Sequence, residues 1–184
     1  MQLRDNGLGF SPITIALHWI ASALLFSIIG LDILMSRATD ESTRAGLAQL
    51  QNLLGMSLCL VSIYRLWARI TSWHPLPVGT PNPVEVIISR SVAFAMCLAL
   101  VLLPIAAWLS KSAAGEAIGL PGGFTVPALV EPNAQVKQFA DLLFDIGAAP
   151  FLAGLALHVF GAFKNHFLLK NDALKRILGK HVEL

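Results

Sequence analysis

Apolar residues gather in four long blocks separated by shorter polar stretches, and this block pattern sets the class of the chain. The blocks fall at about 12–35, 46–66, 86–109 and 139–165, each near the ~20 residues a helix needs to cross a hydrocarbon core. Periodicity does not separate strand from helix in runs this apolar, but length does, and in lipid only a helix satisfies its backbone within one segment. The pattern predicts an all-α membrane protein, an antiparallel four-helix transmembrane bundle made by residues 1–184 as a single domain. Composition agrees: 55% of residues are hydrophobic and 13% charged, with mean hydropathy +0.69, far from a soluble balance.

The first block is too long for a signal-peptide core and no small-residue cleavage site follows it cleanly, so it reads as a retained helix. Helices 1 and 2 should be antiparallel neighbours across a short charged loop at Arg37–Arg44. Pro75, Pro77, Pro81 and Pro83 make the second connection stiff and extended. The third, roughly 110–138, is rich in Gly and Pro and is expected to cap the outer face. Its Gly-Leu-Pro-Gly-Gly is not a phosphate loop, because no strand precedes it and no Gly-Lys-Ser/Thr follows.

Basic residues orient the bundle. Arg4, Arg65, Arg69, Arg90, Lys164, Lys170, Lys175, Arg176 and Lys180 belong to one side, and Arg37, Arg44, Lys111 and Lys137 to the other. Nine against four places both termini and the 2–3 loop in the cytoplasm. Topology accounts for the basic tail, and no nucleic-acid motif accompanies it.

Two imidazoles interrupt the apolar blocks near opposite ends of the chain, His18 in Ile15-Ala16-Leu17-His18-Trp19 and His158 in Leu155-Ala156-Leu157-His158-Val159. Ionisable side chains are costly within a bilayer and mark function there. At 1.5 Å per residue His18 lies ~9 Å from the cytoplasmic end of its helix and His158 ~10 Å from the same surface. Two histidines at matched depth on antiparallel helices suit the axial ligation of one haem iron. Gly154, Gly161 and Ala162 share a face with His158, and Ala21 and Ser22 with His18. Small residues there leave room for a flat macrocycle, or alternatively serve close helix packing.

Arg65 and Arg69, at the inner end of helix 2, are candidate partners for haem propionates and equally candidate interfacial anchors. Trp19, Trp67 and Trp108 read as interfacial or packing residues, and His74 and His181 as exposed loop and tail residues. Lys164 and His166 sit near the inner mouth of helix 4, as a snorkelling tail or a weaker quinone or proton-relay candidate. Cys59 and Cys97 form neither C-x-x-C nor C-x-x-C-H, which excludes covalent c-type haem and leaves them as packing residues, a role also expected of Met56 and Met96.

Taken in order, Ser-Pro-Ile-Thr-Ile-Ala-Leu-His-Trp, Tyr64-Arg65-Leu66-Trp67-Ala68-Arg69, Pro104-Ile105-Ala106-Ala107-Trp108, Phe124-Thr125-Val126-Pro127 and Asn165-His166-Phe167 carry a resemblance. The chain resembles the prokaryotic cytochrome b561 family over nearly its whole length. That resemblance implies a four-helix membrane cytochrome that exchanges electrons with quinones or partner redox proteins, usually through two b haems. Of the family's four ligands, His18 and His158 match one pair, while Gln51 and Phe144 stand where the outer pair is expected. Neither is a sensible iron ligand. The expectation is one haem b, near the cytoplasmic side, with the outer haem absent. The resulting function is electron transfer, linked to the quinone pool or a redox partner protein, as a carrier or oxidoreductase subunit rather than a stand-alone enzyme, with oligomerisation open. The competing reading is a haem-free membrane scaffold or assembly protein derived from a cytochrome.

Overall fold

A computed structural model describes residues 4–79 and 81–180, so His181 lies outside the described residues. Four long helices dominate it: α1 (Pro12–Arg37), α2 (Glu41–Thr71), α3 (Pro83–Ala113) and α4 (Ala134–Phe163). Each is long and apolar enough to cross a membrane. Together they make an all-α four-helix bundle. A π-helical turn, Lys164–Leu168, continues α4, and a short helix, α5 (Ala173–Ile177), follows.

The helices overrun the apolar blocks, most of all α2, which starts at Glu41 and takes in Arg44 and Arg69. Hydropathy marks only the part that suits hydrocarbon, whereas the ends are set by capping chemistry. Ser11 caps α1, its hydroxyl accepting from the Thr14 amide at 3.1 Å, with Pro12 at the first helical position. Asp40 caps α2 through the Thr43 amide at 2.7 Å, and that hydrogen bond holds its carboxyl below the usual carboxylate range. Asn82 and Asn133 do the same for α3 and α4. The Arg37–Arg44 connection thus shrinks to 38–40, and Lys111 and Lys137 are helical rather than in a loop. The third connection holds a two-residue antiparallel pairing, Ile118–Gly119 with Thr125–Val126.

By internal contacts the chain forms two compact units, each drawing segments from all four long helices. The first joins the described residues within 1–19, 63–99 and 149–184, so the starts of α1 and α3 meet the ends of α2 and α4 and consecutive helices run antiparallel. The second joins 20–62 and 100–148. Inside it, Asn52 Nδ2 donates to the Gly119 carbonyl at 3.0 Å, Trp108 Nε1 to Pro127 at 3.0 Å, and the Ser110 hydroxyl to Asp141. Few residues are buried, and large apolar side chains such as Leu60, Ile87 and Phe160 face outward, as a lipid-facing surface requires.

Close packing in the second unit has a test. A Cβ built on Gly147 would lie 2.8 Å from Leu103 Cδ2. Because the obstacle is the tip of a flexible side chain, Gly147→Ala should cost little, whereas Gly147→Val should destabilise by about 1–3 kcal/mol through overpacking. Unfolding in detergent would read the difference, and equal stability of the two variants would show that α3 and α4 pack loosely there.

Candidate haem site

The first unit brings His18, on the second turn of α1, to His158, about one and a half turns before the end of α4. Their ring centroids are 6.2 Å apart and the planes tilt by 59°. A metal–imidazole bond is about 2 Å and the ring centre lies ~1 Å behind the nitrogen, so two imidazoles flanking one metal have centres ~6 Å apart. The observed separation fits that arrangement. Among the described residues no group of three or more His, Cys, Asp and Glu is placed to hold a metal ion. Two axial imidazoles are enough only when a macrocycle supplies the equatorial ligands, as haem does.

The small residues beside the histidines divide in their roles. A Cβ on Gly154 would meet Met96 at 3.6 Å and Val92 at 3.9 Å, so this glycine serves helix packing against α3. Gly161 has open space beside it.

Arg65 reaches the pair directly, with Nη2 3.3 Å from His18 Nδ1. Guanidinium only donates, so in this contact Nδ1 accepts, and the proton of neutral His18 sits on Nε2. Arg69 does not touch either histidine. Its Nη2 donates to the Arg90 carbonyl at 3.2 Å, and its Nε is buried without a hydrogen-bond partner. Both arginines line a cavity of about 60 Å³ together with Asp5, Thr14, Tyr64, Ser72 and His74. Waters fit in that volume.

His74 is the exposed loop residue that the sequence predicts, and it also lines this polar cluster. Partial burial, then the charges of Arg69 and Arg90, push its pKa below 6.5, against a smaller opposing effect of Asp5. The folded protein thus binds this proton more weakly than the unfolded chain. The associated stability is complete above pH 6.5 and is lost as pH falls from there through the depressed pKa. His74→Gln should flatten the stability profile in that window, measured by thermal unfolding across pH. An unchanged profile would remove His74 from the cluster.

The remaining candidates lie elsewhere. Lys164 pairs with Glu85 at 3.0 Å, and the His166 ring sits edge-on to Phe167. Trp67 packs against Tyr64 and beneath Arg4. Cys59 and Cys97 are buried free thiols, and Cys97 borders the cavity. Gln51 sends its amide to the Ile28 carbonyl at 3.4 Å, and Phe144 is 40% exposed on α4. Two residues, read from the sequence as an interfacial or packing tryptophan and as one of the basic residues of the tail, have specific partners. Trp19 donates its indole N–H to the Ile177 carbonyl at 3.0 Å, and Arg176 is 8% exposed with Nη1 2.6 Å from the Leu76 carbonyl. The basic composition of the tail concealed Arg176, since nothing in it distinguishes a buried arginine from solvated ones.

Fold and site together define a multi-pass α-helical membrane protein with a facing histidine pair inside its apolar helices. Residues 9–180 match the family described as prokaryotic cytochrome b561, and the chain belongs to that family. It is also 27% identical over 181 residues to a protein of Escherichia coli (strain K12) named cytochrome b561 homolog 2, covering 98% of this chain and 96% of that one. Membership implies a haem-binding membrane protein of electron transfer.

Proposed function

We propose that this protein carries a single haem b between His18 and His158 and passes electrons between the quinone pool, or a partner redox protein, and that haem. The carrying observation is the 6.2 Å separation of the two imidazoles. Bound there, haem supplies a one-electron couple that no side chain provides. The chain holds the two rings on separate helices, each half-buried within an apolar stretch.

For His18 to ligate, its coordinating nitrogen must be free of both a proton and an arginine. With Arg65 in contact, each nitrogen fails one of the two, Nε2 by its proton and Nδ1 by the arginine. If Nε2 coordinates, its proton moves to Nδ1, which can no longer accept from Arg65; if Nδ1 coordinates, Arg65 stands in its place. Either way Arg65 turns from the imidazole in the loaded protein. A propionate carboxylate is the partner its planar fork suits, with Arg69 beside it.

The outer pair supports a single haem. Gln51 is engaged with a backbone carbonyl and Phe144 has no donor atom. Both termini lie in the cytoplasm on this reading, so the haem serves that side of the bacterial inner membrane. Haem-to-protein stoichiometry by pyridine haemochrome tests the proposal, with one haem b per chain expected and two overturning it. The replaced outer pair also favours a second reading, a haem-free scaffold, which well-folded protein lacking haem absorbance would establish. Quinol-driven reduction of the haem tests the quinone link.

A further inference from the structure

Trp19 follows His18 in sequence, and its ring stands edge-on to the His18 imidazole, centroids 5.3 Å apart at 80°. Its indole N–H is not left to the interface but is donated to the Ile177 carbonyl, 158 residues away on the C-terminal tail. That carbonyl is at the end of α5, and the neighbouring Arg176 fixes α5 in turn. Arg176 Nη1 donates to the Leu76 carbonyl at 2.6 Å, and the Leu76 amide donates to the Gly7 carbonyl at 2.9 Å. Just past α5, Gly179 has φ +78 and lies so close to α1 that a Cβ there would be 3.8 Å from Ile15. A left-handed residue at that point turns the chain back, and only glycine adopts it without strain.

We propose that the segment 173–179 is a positioning element for the haem site, setting the orientation of the His18 ring through Trp19. The inference rests on His18 being an iron ligand. An indole held at its N–H end cannot swing, so its edge restricts the plane in which the imidazole can lie. Groups that orient an axial ligand tune the metal without touching it. Arg176 is the peg of this device. Its Nε and Nη2 are buried without hydrogen-bond partners and no ion pair compensates it among the described residues. Burying a guanidinium this way is unfavourable. What it secures is the register of α5 against the 2–3 loop, through one charge-assisted hydrogen bond.

The test uses full-length protein with haem bound. Trp19→Phe keeps an aromatic edge against His18 and deletes only the N–H donor. Arg176→Gln removes the charge, and Arg176→Lys retains a charged donor for Leu76. Haem content, the largest g value of the oxidised low-spin signal by electron paramagnetic resonance, and the midpoint potential are read for each and for wild type. Expected are wild-type haem content throughout, the g value and potential shifted in the same direction by Trp19→Phe and Arg176→Gln, and values near wild type for Arg176→Lys. The double variant should shift no further than the larger single one, because both act through one linkage. Wild-type g value and potential in Trp19→Phe overturn the inference, and do so even if Arg176→Gln fails to accumulate. A shift in Trp19→Phe with none in a well-folded Arg176→Gln overturns the role of the tail. Absence of haem from wild type overturns the haem reading itself, which separates the two failures.

Discussion

Replacing His18 or His158 with alanine is expected to remove the haem b absorbance of the purified protein, not to halve it. If the two imidazoles ligate a single cofactor, as proposed, each is half of one site, so the two variants should have the same phenotype. If a second haem were bound elsewhere, about half of the absorbance would survive both substitutions. Loss of the cofactor should also lower thermal stability, since a ligand bound only by the folded state contributes about 4 kcal/mol when present at a thousand times its dissociation constant. Far-UV circular dichroism separates loss of ligation from loss of fold, because the four long helices do not depend on either histidine for their backbone hydrogen bonds. Haem and imidazole supplied together to purified His18→Ala should restore a low-spin spectrum, the free imidazole filling the vacated position. Retention of haem by both alanine variants would place the iron elsewhere.

Arg65→Leu should lower the midpoint potential. A fixed positive charge close to a reducible centre favours the reduced, less positive state, so removing it favours oxidation. A unit charge ~7 Å away at an effective dielectric constant of ~20 is worth about 2 kcal/mol. For a one-electron couple that corresponds to a fall of about 50–100 mV, allowing for screening by a propionate. Arg65→Lys keeps the charge but not the planar fork, so it should lose less than half of this while releasing haem faster. Redox titration and the rate of haem transfer to an acceptor protein measure the two effects. An unchanged potential in Arg65→Leu would show that its charge faces away from the iron once haem is bound.

The helices themselves were legible in the apolar blocks because the bilayer permits few solutions: ~20 apolar residues in sequence must be helical to satisfy their backbone. Their ends were not. Glu41–Leu47 belongs to α2 although half of it is polar, since Asp40 stops the helix by a hydrogen bond that hydropathy does not register. Likewise Lys111 and Lys137 looked like loop residues and are helical, for the residues that cap α4 and close α3 lie beyond them. The tail was read as generically basic, and only its π-turn and α5 show that its five lysines and arginines differ in fate, with Lys164 and Lys175 in ion pairs and Arg176 buried.

The class of the protein was therefore determined by the sequence alone. The membrane-crossing segments and two imidazoles at matched depth are properties of residue type and spacing along an axis of known rise. What tertiary structure decided is everything that depends on rotation about those axes and on contacts remote in sequence. It set the 59° tilt between the rings, brought Arg65 rather than Arg69 onto His18, turned Gly154 towards Met96, and tied Trp19 to Ile177. Spacing along a helix fixes depth, but which face meets which neighbour is a product of side-chain packing between helices, and no single segment contains that information.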